Sequence, residues 1–219
     1  MIFDYLFPRF TCLVCKTEMN GPQNPYLCDE CAATLPVNTT PVTYKDAKAA
    51  QYFNRGFAAF EYGQPIVNLI LKLKYSAEGD TALAVAPFMA AAYLHHNKSV
   101  PNDAVLVPVP LSKKRERQRE YNQALLLAKE LSPILGLAVA DKALIRTKAT
   151  EAQKHMTVAQ RAANLKNAFA IARVEDVLGK YIILVDDVFT SGATANECAR
   201  VLREAGAHSV DVLTIAAVC

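Results

Sequence analysis

The stretch YIILVDDVFTSGAT, residues 181–194, constrains the fold of this chain more than any other segment. Its first five residues are apolar or aromatic and predict a buried strand, which ends in the paired acids Asp186 and Asp187. Hydroxyl residues and Gly192 follow, and a helical pattern then begins near Thr194. Parallel α/β sheets are built from such strand–loop–helix units and bind ligands beyond the carboxyl ends of their strands. We therefore expect both acids at a ligand-binding sheet edge.

The chain alternates between strand and helix patterns from residue 56 onward. Apolar and β-branched runs predict strands at residues 56–62, 104–110, 143–146, 181–187 and 209–218. Helical patterns predict one helix that opens at Pro65 and others at residues 81–95, 122–135 and 194–207. This alternation predicts an α/β fold in which a mostly parallel sheet is flanked by helices on both faces.

Four of the six cysteines form two Cys-x-x-Cys pairs, Cys12 with Cys15 and Cys28 with Cys31. Two such pairs separated by twelve residues can offer four thiolates to one tetrahedral Zn²⁺. A redox pair and ordinary buried thiols are the alternatives, but the second pair at this spacing favours zinc. The segment is too short to bury a core, so a metal would supply its folding free energy. Four thiolates leave no open coordination position, which predicts a structural ion.

Composition excludes several classes of protein. Hydrophobic residues make up 52% of the chain and charged residues 21%, a balance typical of globular proteins. The longest uncharged apolar stretch, residues 82–94, is shorter than the roughly 18 residues of a membrane-spanning helix. The opening MIFDYLFPRF has neither a basic start nor a small-residue cleavage site, so we expect no signal peptide and a reducing cytoplasmic location. A proline-dotted stretch predicts a zinc-ribbon domain over residues 1–40 and a larger domain over residues 41–219.

The loop after the paired acids has the chemistry of an anion site. A helix start presents free N–H groups and partial positive charge, and a glycine lets the backbone close around an anion. The candidate phosphate-contacting residues are Val188, Thr190, Ser191, Gly192, Ala193 and Thr194. Asp186 and Asp187 could hold diol hydroxyls or a hydrated Mg²⁺. A helix cap at Ser191 or Thr194, or a turn at the acids, is the plainer alternative. The chain contains neither a P-loop motif nor a Rossmann fingerprint.

Basic residues follow the predicted strand at residues 104–110. The run KKRERQR, residues 113–119, should project over the same sheet edge as the acids. Arg115 and Arg119 are the candidates for contacts with phosphate groups, because a guanidinium group can bind phosphate through two hydrogen bonds. A solvated run of charges is the alternative. Lys74 is a weaker candidate, since a lysine stem lying along an amphipathic helix explains it more simply.

The net charge of +3 hides an uneven distribution along the chain. Residues 113–173 carry thirteen basic and five acidic residues, whereas residues 174–219 carry three basic and seven acidic residues. The part of this basic segment at residues 147–173 could form a lid that excludes water from a ligand site, or a track for single-stranded nucleic acid. The acidic segment suits diol hydroxyls and a hydrated Mg²⁺.

Two acids, two apolar residues and Thr-Ser-Gly-x-Thr after an apolar strand closely resemble the phosphoribosyl diphosphate signature of type I phosphoribosyltransferases. The four-Cys segment, Pro-Val-Pro at residues 108–110 and R-x-x-x-R-x-Y-N-Q at residues 115–123 add a resemblance to the ComF/GntX family over almost the whole chain. That family usually has Gly and Phe where this chain has Glu120 and Tyr121. Glu120 brings a negative charge into a loop expected to handle anions.

The resemblance implies a type I phosphoribosyltransferase-like fold and a role in DNA uptake. It also implies that Asp186 and Asp187 face the ribose hydroxyls, that residues 190–194 bind the 5′-phosphate, and that the loop after Pro-Val-Pro lies near the pyrophosphate. Two functions follow from it. One is Mg²⁺-dependent transfer of a phosphoribosyl group from its diphosphate to an unidentified acceptor. The other is a non-catalytic sensor of phosphoribosyl diphosphate, or a protein that binds single-stranded DNA or partners of the uptake machinery.

Overall fold

A computed structural model of the protein describes residues 10–19, 26–42, 50–75, 79–112, 121–147 and 157–218. Arg115, Arg119 and Glu120 lie outside these residues, so their predicted roles stay predictions.

The described chain contains nine strands and six α-helices. The first part holds β1 (Phe10–Thr11), β2 (Glu18–Met19) and α1 (Asp29–Thr34). The middle part holds β3 (Gly56–Glu61), α2 (Ile66–Tyr75), α3 (Asp80–His96), β4 (Ala104–Pro108), α4 (Gln123–Leu135) and β5 (Ala138–Val139). The last part holds β6 (Leu144–Arg146), α5 (Val158–Leu165), β7 (Phe169–Ile171), β8 (Tyr181–Phe189), α6 (Ala193–Glu204) and β9 (Ser209–Ala217).

Five strands form one parallel sheet in the order β3-β9-β8-β4-β5. The strand with the paired acids, β8, lies between β9 and β4, and this central place accounts for its continuous apolar run. Pairing with β9 continues through Phe189, so β8 extends two residues beyond the predicted end at Asp187. The predicted mostly parallel sheet is confirmed.

Helices cover both faces of this sheet, as the strand–helix alternation predicts. Residues of β8 alternate between the two faces: Ile183 and Val185 pack with α2, α3 and α4, whereas Ile182 and Leu184 pack with α5 and α6. Two apolar layers therefore hold β8 rigidly, and its carboxyl end is fixed relative to the helices around it.

Helix α2 directly follows β3 and carries its buried residues on one face. Ile66, Leu69, Ile70 and Leu73 recur at helical spacing and are all buried, as predicted. A second helix, α3, then separates α2 from β4. The far end of α3 reaches the amino end of β9, where the Tyr93 hydroxyl donates to Asp211 Oδ2 at 3.5 Å. Because α3 carries the chain back to the amino end of the sheet before β4, α2 can remain near the carboxyl ends of the strands.

The four-cysteine segment packs against the larger domain. Strands β1 and β2 form an antiparallel pair, and the buried residues Cys12, Leu27 and Leu35 belong to the same apolar cluster as α2 and α3. Lys72 of α2 donates to the Leu13 carbonyl at 3.4 Å. The domain boundary at residue 40 stays a prediction. Among the described helices, none combines the length and apolar character needed to cross a bilayer.

The basic segment of residues 147–173 contains regular structure that the sequence analysis did not predict. Helix α5 lies within it, and β7 pairs with β6 as an antiparallel hairpin. Leu165 and Phe169 are buried against α6 and the sheet, so at least this part of the segment belongs to the folded domain.

Candidate functional site

The paired acids lie inside the last part of β8. Asp186 faces Thr214 across the pairing with β9, and the backbone N–H of Asp187 donates to Asp186 Oδ1 at 2.8 Å. Both acids are partly exposed. Their position within a paired strand excludes the interpretation that they form a turn. Both carboxylates are therefore held in place near the carboxyl end of β8 and are partly accessible from solvent.

The loop after β8 changes direction at Gly192. This residue has φ +81° and ψ −1°, in the left-handed region that a side chain makes unfavourable. Helix α6 begins at the next residue with Gly192 as its N-cap and without a side-chain capping bond, so capping by Thr194 does not occur. Ser191 is buried, and its hydroxyl oxygen accepts from the Ala193 N–H at 3.4 Å.

The start of α6 lines a small concavity. Its volume is about 20 Å³, enough for a group the size of one water molecule. The lining consists of Asp186, Val212, Thr214 and residues 188–195. The first N–H groups of a helix have no acceptor within the helix. The Ala193 N–H already donates to Ser191 Oγ, so the Thr194 N–H is the next donor that an anion could engage at this point. The loop thus combines an N–H donor with hydroxyls beside a carboxylate.

Buried Asn196 fixes the first turn of α6. Its side-chain oxygen accepts from the Tyr52 N–H at 2.7 Å, and its side-chain nitrogen donates to the Ala50 carbonyl at 2.9 Å. Nearby, the rings of Phe53 and Phe189 pack edge to face with centroids 5.9 Å apart. These contacts tie the loop to the segment before β3 and hold it in place before any ligand arrives.

A lysine from α2 reaches the acid pair. The Lys74 ammonium lies 2.7 Å from Asp187 Oδ2, and only 22% of the Lys74 side chain and 17% of the Asp187 side chain are exposed. The interpretation of Lys74 as a lysine that merely lies along a helix surface is therefore wrong. Lys74 instead forms an ion pair with Asp187, which is itself a candidate ligand-binding residue.

The described end of the R-x-x-x-R-x-Y-N-Q motif joins three elements near the site. Asn122 caps α4 by accepting from the Ala124 N–H at 3.0 Å, and its amide donates to the Val109 carbonyl at 3.0 Å. The Tyr121 hydroxyl donates to the Leu73 carbonyl at 2.9 Å, next to Lys74. Phenylalanine, the usual family residue at position 121, cannot make this bond.

The four predicted metal ligands come together. The sulfurs of Cys12, Cys15, Cys28 and Cys31 all lie within 4.8 Å of one another, and those of Cys15 and Cys28 are 3.7 Å apart. Tetrahedral bonds of about 2.3 Å from sulfur to zinc would separate the sulfurs by about 3.8 Å. The four thiols therefore fit one tetrahedral metal ion. The fifth described cysteine, Cys198, is buried in the core as a bystander.

Nearby donors stabilise two of these sulfurs as thiolates, the form that binds a metal. The Thr17 hydroxyl and backbone N–H lower the pKa of Cys15 to about 6. Burial raises the pKa of Cys12, but backbone N–H groups, from Cys28 first and then from Cys15 and Val14, more than offset it and lower the pKa overall.

The fold and the loop define the class of protein. Residues 122–218 match the family model described as "Phosphoribosyl transferase domain". The DNA utilization protein YhgH of Salmonella typhi is 31% identical over 203 residues, which cover 92% of this chain and 87% of that protein. Competence protein F of Haemophilus influenzae is 27% identical over 227 residues, which cover 96% of this chain and 98% of that protein. Competence protein ComFC of Bacillus subtilis is 39% identical over 112 residues, which cover 51% of this chain and 43% of that protein. The chain therefore belongs to the ComF family of phosphoribosyltransferase-like proteins.

Proposed function

We propose that the protein binds phosphoribosyl diphosphate at the edge formed by β8 and α6 and transfers its phosphoribosyl group to an acceptor. The observation that carries this proposal is the pair of partly exposed carboxylates beside a left-handed glycine and a helix start. A ligand with a diol and a phosphate a few ångströms apart matches that pairing of acceptors and donors.

Each part of the site has a chemical task in this proposal. Residues 190–194 hold the 5′-phosphate through N–H groups and hydroxyls, and Asp186 and Asp187 accept hydrogen bonds from the ribose hydroxyls. Arg115 and Arg119 are the expected contacts of the diphosphate. Mg²⁺ bound with the diphosphate would offset the charge that develops on the leaving group. The bond from the sugar to diphosphate breaks, the acceptor bonds to the sugar, and the protein contributes position and charge.

The metal site and the relatives suggest the setting. We infer a structural Zn²⁺ on Cys12, Cys15, Cys28 and Cys31, since four thiolates satisfy its tetrahedral preference. Cysteines that bind a metal must stay reduced, as they do in a reducing cytoplasm, which is where we expect the protein to act. Relatives named as competence and DNA utilization proteins support a role in DNA uptake.

Titration calorimetry with phosphoribosyl diphosphate and Mg²⁺ tests the binding site. The wild type should bind, whereas Asp187→Asn and Thr194→Val should each lose about tenfold or more in affinity, as expected for hydrogen bonds to charged groups. Glu175→Gln, a surface change away from the site, serves as the control and should bind like the wild type. A wild type that does not bind the ligand would overturn the proposal.

Binding without turnover is the second candidate function. Among the described residues, none of the histidines lies at the acid pair: His95 and His96 end α3, where His96 stacks on Phe57, and His208 contacts Tyr181 at the opposite sheet edge. In the part of the chain that the structure describes, the acid pair therefore has no histidine as a general base beside it, as a sensor of phosphoribosyl diphosphate would allow. Release of inorganic pyrophosphate, measured with candidate acceptors present, separates the two functions: release supports transfer, and binding without release supports a sensor.

A further inference from the structure

The ion pair between Lys74 and Asp187 joins the proposed ligand site to a helix outside the signature. Lys74 lies in the last turn of α2, and its ammonium is 2.7 Å from Asp187 Oδ2. An ammonium carries three protons and a carboxylate oxygen engages one, so the group can also donate to a ligand. Both side chains are partly exposed, which gives a ligand access to them.

The protein holds the end of α2 in position. Leu73, immediately before the lysine, is buried in the apolar cluster, and its carbonyl accepts from the Tyr121 hydroxyl at 2.9 Å. The backbone at Lys74 is therefore fixed, while four methylene groups let the ammonium shift by several ångströms. Lys72 lies two residues earlier on a different side of the helix and donates to the Leu13 carbonyl.

Lys74 offsets part of the negative charge of the acid pair. Asp186 and Asp187 bring two negative charges to a place where a ligand carrying a phosphate and a diphosphate must bind. Those like charges repel at close range. A lysine that neutralises Asp187 removes half of this opposing charge and brings a mobile cation close to the ligand.

We propose that Lys74 is a ligand-binding residue of this site that contacts the diphosphate, an inference that rests on the proposed function. In the free protein the ammonium pairs with Asp187. When the ribose hydroxyls donate to Asp187, the ammonium turns to the diphosphate oxygens, which accept charge-assisted hydrogen bonds. Lys74 thus selects for the activated sugar, because ribose 5-phosphate has no diphosphate to contact.

Two ligands and two matched variants test this assignment. Lys74→Met and Lys72→Met remove the same charge from the same helix, and only Lys74 reaches Asp187. Calorimetry with Mg²⁺ should show that Lys74→Met weakens phosphoribosyl diphosphate binding by about ten- to a hundredfold, the value expected for a charged hydrogen bond. Affinity for ribose 5-phosphate should change by less than about threefold. Lys72→Met should bind both ligands like the wild type, and Lys74→Arg should restore part of the lost affinity.

Three results would overturn the assignment. Equal weakening for both ligands would mean that Lys74 only orients Asp187, and unchanged binding of phosphoribosyl diphosphate would mean that it makes no contact. Equal losses in Lys72→Met and Lys74→Met would indicate a general charge effect. A wild type that binds neither ligand would instead contradict the proposed function itself. Thermal unfolding of each variant checks that the chain is folded before affinities are compared.

Discussion

Replacement of Gly192 by alanine tests whether the loop before α6 is built for a phosphate. This residue has φ +81°, where a side chain costs about 1–2 kcal/mol. For a chain of this size, each kcal/mol lowers the unfolding temperature by about 2–4 °C, so Gly192→Ala should lose about 2–8 °C. The alternative for the chain is to relax φ, which would reorient the start of α6, including Thr194, relative to the concavity that it lines.

Ligand affinity should fall by more than the change in stability explains. Each hydrogen bond from the loop to a charged phosphate contributes about 1.5–3 kcal/mol, so misdirecting one N–H group should weaken phosphoribosyl diphosphate binding by about ten- to a hundredfold. Denaturant unfolding with the metal retained gives the stability change. Calorimetry below the unfolding transition gives the affinity change.

Gly136→Ala is the matched control. Gly136 ends α4 with φ +68°, and an added Cβ there would meet nothing within 4 Å. Both variants should therefore lose similar stability for the same conformational reason, but only Gly192→Ala should lose the ligand. Normal affinity in Gly192→Ala, with both proteins equally destabilised, would refute the phosphate loop. Unchanged stability in Gly192→Ala would refute the left-handed conformation on which the reasoning depends.

Three further changes probe the supports of the site and the metal centre. Cys12→Ser should abolish bound metal, measured by plasma mass spectrometry, and lower the unfolding temperature, since metal binding contributes folding free energy; full metal content would contradict the four-thiolate site. Asn196→Ala should cost about 1–3 kcal/mol in urea unfolding because the Tyr52 N–H and the Ala50 carbonyl each lose a part-buried hydrogen bond; a loss below about 0.5 kcal/mol would mean that water replaces the amide. Tyr121→Phe should cost about 1 kcal/mol and weaken binding of phosphoribosyl diphosphate severalfold, because the end of α2 is released at Leu73; unchanged affinity would show that the hydroxyl does not position Lys74.

Much of the fold could be predicted because short stretches of sequence indicate which segments form buried strands and helices. The apolar run of β8 predicts a buried central strand, and the spacing of Ile66, Leu69, Ile70 and Leu73 predicts the buried face of α2. Helix α5 escaped prediction, since its segment is polar and basic; its last residue, Leu165, is buried in the core.

The candidate site likewise has a part that local sequence patterns identify and a part that depends on contacts between distant residues. The acids, the loop and the four cysteines are contiguous or regularly spaced, so sequence patterns could identify them. The contact of Lys74 with Asp187 joins residues far apart in the chain, and no spacing rule predicts it. One signal was present in the predicted order of elements: two helices, not one, separate β3 from β4. A single helix suffices to return the chain across a parallel sheet, so the first of the two could lie at the carboxyl edge.

The order of strands sets when the site can form during synthesis. Strand β3 joins the rest of the parallel sheet only through β9, which is the last strand to be made and also covers one side of β8. Until residues 209–217 have left the ribosome, β3 has no partner strand in this sheet and the edge of β8 beside Asp186 lies open. The nascent chain therefore lacks Val212 and Thr214, which line the concavity at the start of α6, until synthesis is nearly finished. An incomplete chain also exposes two unpaired strand edges to chaperones or to aggregation.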